Sequence, residues 1–510
     1  MNLAFLRLAL RINATCLVLA MFAAAPVHAD ETATATTQQL ASAIDAQIDD
    51  PRFASASWGI AVMSLDTGRT LYAHDAHRLQ QTASTAKLYT AALVLDTIGT
   101  DYRIPTQLLA TRPVAQGRLE GPLILRGMGD PSLGTPGTNA DWADQLAGQL
   151  AASGVHDVQG ELIADDSYFQ GPQVGAGWEA RDLQSWFAVP ASALSVRENV
   201  VALTVRPAGA PGHAALLTFD PAGAMPRVAN HLATGTRSDI NLYRAPGDPT
   251  LYAFGSIPAQ AEAQTFKLAM ADPAWYAGTQ LREALERHGV HVHGALRVRH
   301  WPEPAADIDK AVVLAQVLSP PVMEILSRGL KRSQNLYLQN LLQIAGIKAQ
   351  ASAEQAGDPP AGFLSSEAWG TRALKELLER LGIPPSAAQI EEGAGLSRQD
   401  LSTPEAMVHL LSYLASQPYG TQLRDALPSA GVDGTLEWRM RNTAAADNVH
   451  AKTGSMNNVR CLVGYMTTAA GERLAFAIML NNFVRGEGEP SPSRTLDAIV
   501  ALLAQFQGHT

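Results

Sequence analysis

The two ends of the chain carry complementary patterns, and these constrain everything between them. Trp58-Gly-Ile-Ala-Val-Met-Ser-Leu65 reads as a strand, Asp66-Thr-Gly-Arg69 as a turn and Thr70-Leu-Tyr-Ala73 as the returning strand of a hairpin. From Thr85 to Ile98 the apolar residues Leu88, Ala91, Ala92, Leu95 and Ile98 make one helical stripe, and Gly99 is placed to end it. Near the other end Val449–Ser455, Val459–Thr467 and Leu474–Leu480 read as three strands, the last two joined by Ala469-Ala-Gly-Glu472. Leu496, Ile499, Val500 and Leu503 then give a terminal amphipathic helix. That helix lacks a basic polar face, so it reads as packing on a sheet rather than docking on a membrane. Hairpin plus helix at one end and three strands plus helix at the other predict one α/β (α+β) unit assembled from both termini.

The middle has a different composition. Residues 100–310 are rich in Gly, Pro and short strand-like runs such as Gly121-Pro-Leu-Ile-Leu125 and Val201-Ala-Leu-Thr-Val205, which predicts one or two mainly β domains inserted into the α/β unit, the inner one near 195–265. From Ser319-Pro320 a helical pattern resumes with Ile325, Leu326 and Leu330. After a break it continues through Leu338, Leu341, Leu342 and Ala345, with Gly346 as a C-cap. The expected division is thus 30–99 with 311–510 as one unit and 100–310 as the insertion. At about 150 residues per domain, 510 residues fit roughly three domains.

The first 29 residues read as a secretory signal. Arg7 and Arg11 precede an apolar run from Ala14 to Ala25, and Val27-His28-Ala29 offers small residues for cleavage. The run is too short to span a bilayer, and no later segment reaches about 18 continuous apolar residues, so no membrane anchor is expected. Removing Met1–Ala29 takes two of the 38 basic residues and none of the 48 acidic ones, leaving a net charge of −12. No basic face stands out to release counterions, which argues against nucleic acid as a partner. Hydrophobic residues at 46% against 17% charged ones are ample for a large core. Cys16 leaves with the signal, so Cys461 has no intramolecular partner; its strand-like surroundings mark it as a small buried hydrophobe rather than a reactive thiol.

Three short motifs carry chemistry. Ser84-Thr85-Ala86-Lys87 stands at the start of the first long helix, where residues i and i+3 lie side by side. Lys87 can then meet the Ser84 hydroxyl at the positive end of a helix dipole and, if burial keeps it neutral, act as general base. An N-capping serine with a solvated lysine has the same pattern, and a serine three residues before a lysine occurs about once by chance in a chain this long. Ser333-Gln334-Asn335 falls in the break between two helices; Ser333 can relay a proton to a leaving amine while Asn335 bonds a substrate amide, or the segment is simply a polar turn. Lys452-Thr453-Gly454 lies in the strand before the C-terminal hairpin. There Lys452 can meet a carboxylate, Gly454 lets a ligand approach the backbone, and the strand edge offers N–H groups to an oxyanion. The trio in this order, each in its expected context, is far more specific than any member.

On these motifs the sequence resembles the class C low-molecular-mass penicillin-binding proteins, the D-alanyl-D-alanine carboxypeptidases/endopeptidases of the DacB type. Further matching segments are Leu125-Arg-Gly-Met-Gly-Asp-Pro131, Pro190-Ala-Ser-Ala-Leu-Ser195 and Leu427-Pro-Ser-Ala-Gly-Val-Asp-Gly-Thr-Leu436. The 249 residues from Ser84 to Ser333 suit that family's inserted domains better than a plain serine β-lactamase. The resemblance implies a DD-peptidase/β-lactamase-like antiparallel sheet flanked by helices, and a periplasmic serine peptidase acting on peptidoglycan stem peptides or cross-links. It assigns Ser84 as nucleophile, Lys87 as base, Ser333 as proton relay, Asn335 as a substrate contact, Lys452 with Thr453 as carboxylate site, and the N–H groups of Ser84 and Ser455 as oxyanion hole. No metal or organic cofactor is implied, and β-lactams are expected as covalent inhibitors. A serine β-lactamase, or a non-catalytic peptidoglycan-binding module, would be the rival readings. The family's D-G-S-G-L-S-R stands here as Glu392-Gly-Ala-Gly-Leu-Ser-Arg398, with a longer acid and one hydroxyl fewer. Gly177-Trp-Glu-Ala-Arg-Asp182 matches a family segment that contacts the stem-peptide side chain. Trp178 and Asp182, at i and i+4, are expected on one side of a helical turn, suited to a substrate amine.

Two other groups read as structural. His288, His291, His293 and His300 cluster in sequence, but Val290-His-Val-His293 alternates as a strand and no carboxylate or Cys completes a zinc spacing. Gly127-Met-Gly-Asp130 lacks the third glycine and following helix of a phosphate loop, and reads as a turn.

Overall fold

The computed structural model describes residues 28–303, 308–357 and 360–510; the expected signal lies outside them apart from its last two residues. The two termini build one antiparallel sheet. Its strands are β1 (Ser57–Ser64), β2 (Thr70–His74), β3 (His450–Met456), β4 (Val459–Thr467) and β5 (Arg473–Asn481), in the order β2-β1-β5-β4-β3. The N-terminal strand β1 pairs residue by residue with β5 from the far end of the chain, Ile60 opposite Ile478 and Val62 opposite Phe476.

Alternation along these strands sends side chains to two different cores. Ile60, Val62, Leu462, Phe476 and Ile478 face helices α1 (His28–Ile48) and, at the C-terminus, Ser493–Ala504, whose Leu496, Ile499, Val500 and Leu503 are all buried. Ala61, Met63, Val463, Ala475 and Ala477 face a helical layer of α2 (Lys87–Thr97), α3 (Val322–Lys331), α4 (Asn335–Ala356), α5 (Ser366–Arg380) and α6 (Pro404–Ser416). Small residues on this second face let the helices come close, and the motif-bearing turns sit at that layer's edge.

Gly346 does not cap its helix. α4 runs on to Ala356 and ends at Gly357, whose φ of 73° is the left-handed C-cap conformation. Gly346 lies instead where α4 crosses α5, and a Cβ there would sit 2.0 Å from the Ser366 carbonyl oxygen. Local pattern could not separate a glycine needed for a close crossing from one needed for a cap.

The insertion leaves and returns through neighbouring strands. Arg103–Ala110 pairs antiparallel with Val312–Pro321, and the sheet continues through Leu123–Gly127, Leu162–Asp165 and Leu296–Arg299. Residues 312–321, grouped above with the C-terminal unit, therefore belong to the sheet of the insertion: the exit strand pairs with the entry strand. Helices Trp142–Ala152 and Pro273–Arg287 pack on this sheet. Farther along, two three-stranded sheets between Val200 and Ala269 enclose a separate core of Leu203, Val205, Leu232, Leu251, Ile257 and Leu268.

Candidate active site

The chain enters α2 through a 3-10 turn, Ala83–Ala86, so Ser84 precedes the α-helix rather than standing within it. The turn still brings residue i+3 alongside, and Lys87 Nζ lies 2.9 Å from Ser84 Oγ. Ala83 holds φ at 44°, a left-handed conformation that a non-glycine residue adopts at a cost. Strain of this kind at the nucleophile turn is maintained only because packing on several sides leaves no alternative.

The three motifs converge although 369 positions separate Ser84 from Thr453. Lys87 Nζ donates to Asn335 Oδ1 at 2.6 Å and also to the Ala394 carbonyl. Lys452 Nζ lies 2.8 Å from Ser333 Oγ and 2.9 Å from its neighbour's carbonyl on Thr453. Thr453 Oγ1 meets Thr435 Oγ1 at 2.8 Å, drawing in the Leu427–Leu436 segment. Asn335 Nδ2 donates to the Phe187 carbonyl at 2.7 Å, so a loop of the insertion closes one wall. Ser333 sits in the short link between α3 and α4 with φ at 54°, which turns the chain sharply where its hydroxyl meets Lys452.

β3 is the edge strand of the sheet and carries Lys452, Thr453, Gly454 and Ser455 past the nucleophile turn. A Cβ on Gly454 would lie 2.7 Å from the Thr82 carbonyl oxygen, so what approaches this glycine is the turn that bears Ser84. Ser455 is exposed at the open end of the strand.

Burial sets the electrostatics. Lys87 and Lys452 are both 0% exposed. Desolvation pulls the Lys87 amine down to about 7, against the opposing pull of the Glu392 and Asp400 carboxyl groups. Lys452 is also lowered well below an ordinary lysine, by burial first and then by the charge of Lys87. Two lysines in one dry site disfavour a second positive charge, which leaves Lys87 available as a neutral base near neutral pH. Cys461 is buried on β4 of the same sheet, and desolvation lifts its thiol to about 12, so it is a packing residue.

The Glu392–Arg398 loop lies beneath this pair. Glu392 and Ala394 are both 0% exposed, so the two departures from the family pattern stand behind Lys87 and not at a substrate surface. The Glu392 carboxylate accepts backbone N–H groups of Ala394 (2.6 Å), Leu396 (2.7 Å) and Ser397 (3.3 Å). Gly395, at φ 75°, abuts the nucleophile turn. Sequence reasoning did not assign this loop a place; its G-x-G spacing was the available signal.

The insertion segment near Trp178 differs from expectation. Glu179 is extended (φ −76°, ψ 132°) and only Ala180–Asp182 form a 3-10 turn, so Trp178 and Asp182 do not share a helical face. The reason is docking. Glu179 pairs with Arg398 at 2.8 Å, the Ala176 N–H reaches Glu367 at 3.1 Å, and these anchors hold the preceding residues straight. Trp178 is half-buried with its ring over Gly175, whereas Asp182 is partly exposed, its carboxyl raised by burial and then by Glu179. Glu198, in a run of three left-handed residues, binds Gln334 and Tyr337 at 3.1 Å each and so ties the insertion to the Ser333 link. Asn340 on α4 reaches the carbonyls of Gly129 and Ser192, so the Gly127–Asp130 turn is a clamp between the two parts.

The histidines are dispersed onto separate carboxylates: His288 on Asp144, His291 on Glu286, His293 on Asp157 and His300 on Asp166. Among the described residues no three His, Cys, Asp or Glu side chains converge as a metal site.

Comparison with known proteins decides the identity of this arrangement. The family described as D-Ala-D-Ala carboxypeptidase 3 (S13) matches residues 40–506. The chain belongs to that family. Its relatives include the D-alanyl-D-alanine carboxypeptidase of Actinomadura sp. (strain R39), 34% identical over 99% of this chain and 91% of that one. The D-alanyl-D-alanine carboxypeptidase DacB of Haemophilus influenzae is 28% identical over 88% and 89%. The crystal structure of penicillin binding protein 4 from Haemophilus influenzae shares the fold, with a TM-score of 0.77, 23% identity, and 93% and 99% of the two chains covered. This S13 chain is therefore a serine-type D-alanyl-D-alanine carboxypeptidase, as its motif resemblance implies.

Proposed function

We propose that this peptidase works in the periplasm on D-Ala-D-Ala termini or D-Ala cross-links of stem peptides, through an acyl-enzyme on Ser84. The observation that carries the reading is the 2.9 Å contact between Ser84 Oγ and a fully buried Lys87 amine lowered to about 7. Ser84 Oγ attacks the penultimate D-Ala carbonyl while Lys87 takes its proton. The N–H groups of Ser84 and Ser455 meet the tetrahedral oxyanion. The C–N bond then breaks, and Ser333 passes on to the leaving amine the proton that Lys87 took from Ser84, which leaves Lys87 neutral again, while the Lys452 amine 2.8 Å away orients the Ser333 hydroxyl. Lys452 with Thr453 receives the terminal carboxylate, and the ion pair formed there stabilises charge on Lys452 that would repel charge on Lys87. Water, activated by Lys87, hydrolyses the ester.

The test is covalent labelling. Benzylpenicillin is expected to form a stoichiometric adduct that peptide mapping places on Ser84, and Ser84→Ala to abolish it without loss of fold. An adduct on another residue overturns the assignment. A penicilloyl adduct lasting hours fits a peptidase; loss within milliseconds would make the chain a β-lactamase. Mass analysis of products from monomeric and cross-linked muropeptides separates exo- from endo-cleavage.

A further inference from the structure

Near Lys87 two carboxyl groups, both of which favour a charge on its amine, lie buried together. Glu392 and Asp400 are each 0% exposed, and two adjacent carboxylates in so dry a place cannot both ionise. Their surroundings decide which one carries the charge. Glu392 accepts three backbone N–H groups, at 2.6, 2.7 and 3.3 Å, an environment that suits a carboxylate. Asp400 accepts one at Oδ1, from the Glu391 N–H at 2.8 Å, and its buried Oδ2 has no hydrogen-bond partner among the described residues. Burial and the neighbouring Glu392 both push the Asp400 carboxyl upward. Asp400, with fewer donors and its carboxyl pushed upward, is therefore the member of the pair that holds the proton.

The pair is wired to both members of the acylating couple. The N–H groups that Glu392 gathers belong to the loop whose Ala394 carbonyl receives the Lys87 ammonium. The Asp400 backbone carbonyl accepts from the Thr82 N–H at 3.1 Å and from its hydroxyl at 3.3 Å, at the root of the turn bearing Ser84. Gly393 N–H donates to Gln339 on α4 at 2.7 Å, and its carbonyl accepts Thr90 Oγ1 at 2.8 Å from α2. The loop is therefore fixed on three sides, and its charge is fixed with it.

We propose that Glu392 and Asp400 are positioning residues that share one proton and serve as a single-charge counterion to Lys87, holding the Ala394 carbonyl on its amine and supplying the negative charge that lets it accept the Ser84 proton. This rests on the reading of Lys87 as the base and adds what makes a buried lysine able to take up a proton. The other charged groups in the field are Lys452 on β3, which opposes a proton on Lys87, and Glu391 and Glu367, which act on the acid pair. Those two leave the pair's single charge in place because each raises, rather than lowers, the cost of a second one.

The measurement is the acylation rate with a fluorescent penicillin between about pH 5 and 9, where the parent is expected to show an acid limb near 7, set by Lys87. Asp400→Asn preserves the one charge on Glu392 and should leave the limb in place. The double variant Glu392→Gln/Asp400→Asn removes the charge, and its limb should move down by about one pH unit, with the plateau falling roughly threefold as the base weakens. Glu392→Asp, which keeps a charge but shortens its reach, should slow acylation without moving the limb. A double variant whose limb stays at the parent position overturns the proposal. Should that variant not fold, Asp400→Asn decides alone, because a limb displaced by a unit in either direction means that the pair does not carry one charge. Failure of the underlying reading looks different: the parent would show no acid limb, or Lys87→Ala would still acylate at the parent rate.

Discussion

Replacing Gly395 by alanine isolates how tightly the nucleophile turn is held. Gly395 has a φ of 75°, where an L side chain costs about 1–2 kcal/mol of backbone strain. Its Cβ would also fall 2.2 Å from the Ala83 carbonyl oxygen and 3.0 Å from Ser84 Cα. Both neighbours are backbone atoms, so no flexible side chain can yield. Ordinary contact requires a separation of roughly 3.5 Å, so the turn or the loop must move by about 1 Å. A displacement of about 1 Å in a reacting group costs on the order of 100-fold in rate. Gly99 supplies the control, since its φ is 82° but nothing stands within 4 Å of its added Cβ. Gly99→Ala therefore carries the strain without the clash. Acylation by fluorescent penicillin, measured with thermal melting, should fall about 100-fold in Gly395→Ala and remain near parent in Gly99→Ala, with similar stability losses from strain alone. A Gly395→Ala enzyme acylating within threefold of its Gly99→Ala counterpart would refute the idea that this loop sets the position of Ser84.

Two further outcomes are expected. Lys452→Ala should slow acylation by carboxylate-bearing substrates about ten- to over a hundredfold more than by neutral esters, the ~1.5–3 kcal/mol of a charge-assisted contact; equal losses on both would make Lys452 structural through its Ser333 bond. Asp182→Asn should slow turnover of stem peptides whose side chain ends in an amine, while sparing a diacetylated tripeptide and penicillin acylation. If all three rates drop together, Asp182 acts by supporting the docked segment that Glu179 and Arg398 anchor.

Periodicity alone determined the elements of the main sheet. The alternation through Ile60, Val62, Phe476 and Ile478, and the 3.6-residue stripe of the terminal helix, are local properties that survive into the packed structure because each strand and helix buries the face its pattern marks. The motif serines and lysines were legible for a related reason: their chemistry is tied to spacing within one turn or one strand, and Lys87 does meet Ser84 across a single turn. What tertiary structure decided are the relations between segments distant in sequence. No local signal could show that residues 312–321 pair with 103–110, that Gly346 serves a helix crossing, or that docking on Arg398 holds Glu179 extended and breaks the expected helical turn. The lowered amine of Lys87 is of the same kind, since it arises from desolvation by segments distant in sequence, which outweighs the opposing pull of Glu392 and Asp400. Spacing along a chain encodes geometry over about one helical turn, whereas burial and pairing are sums over the whole fold.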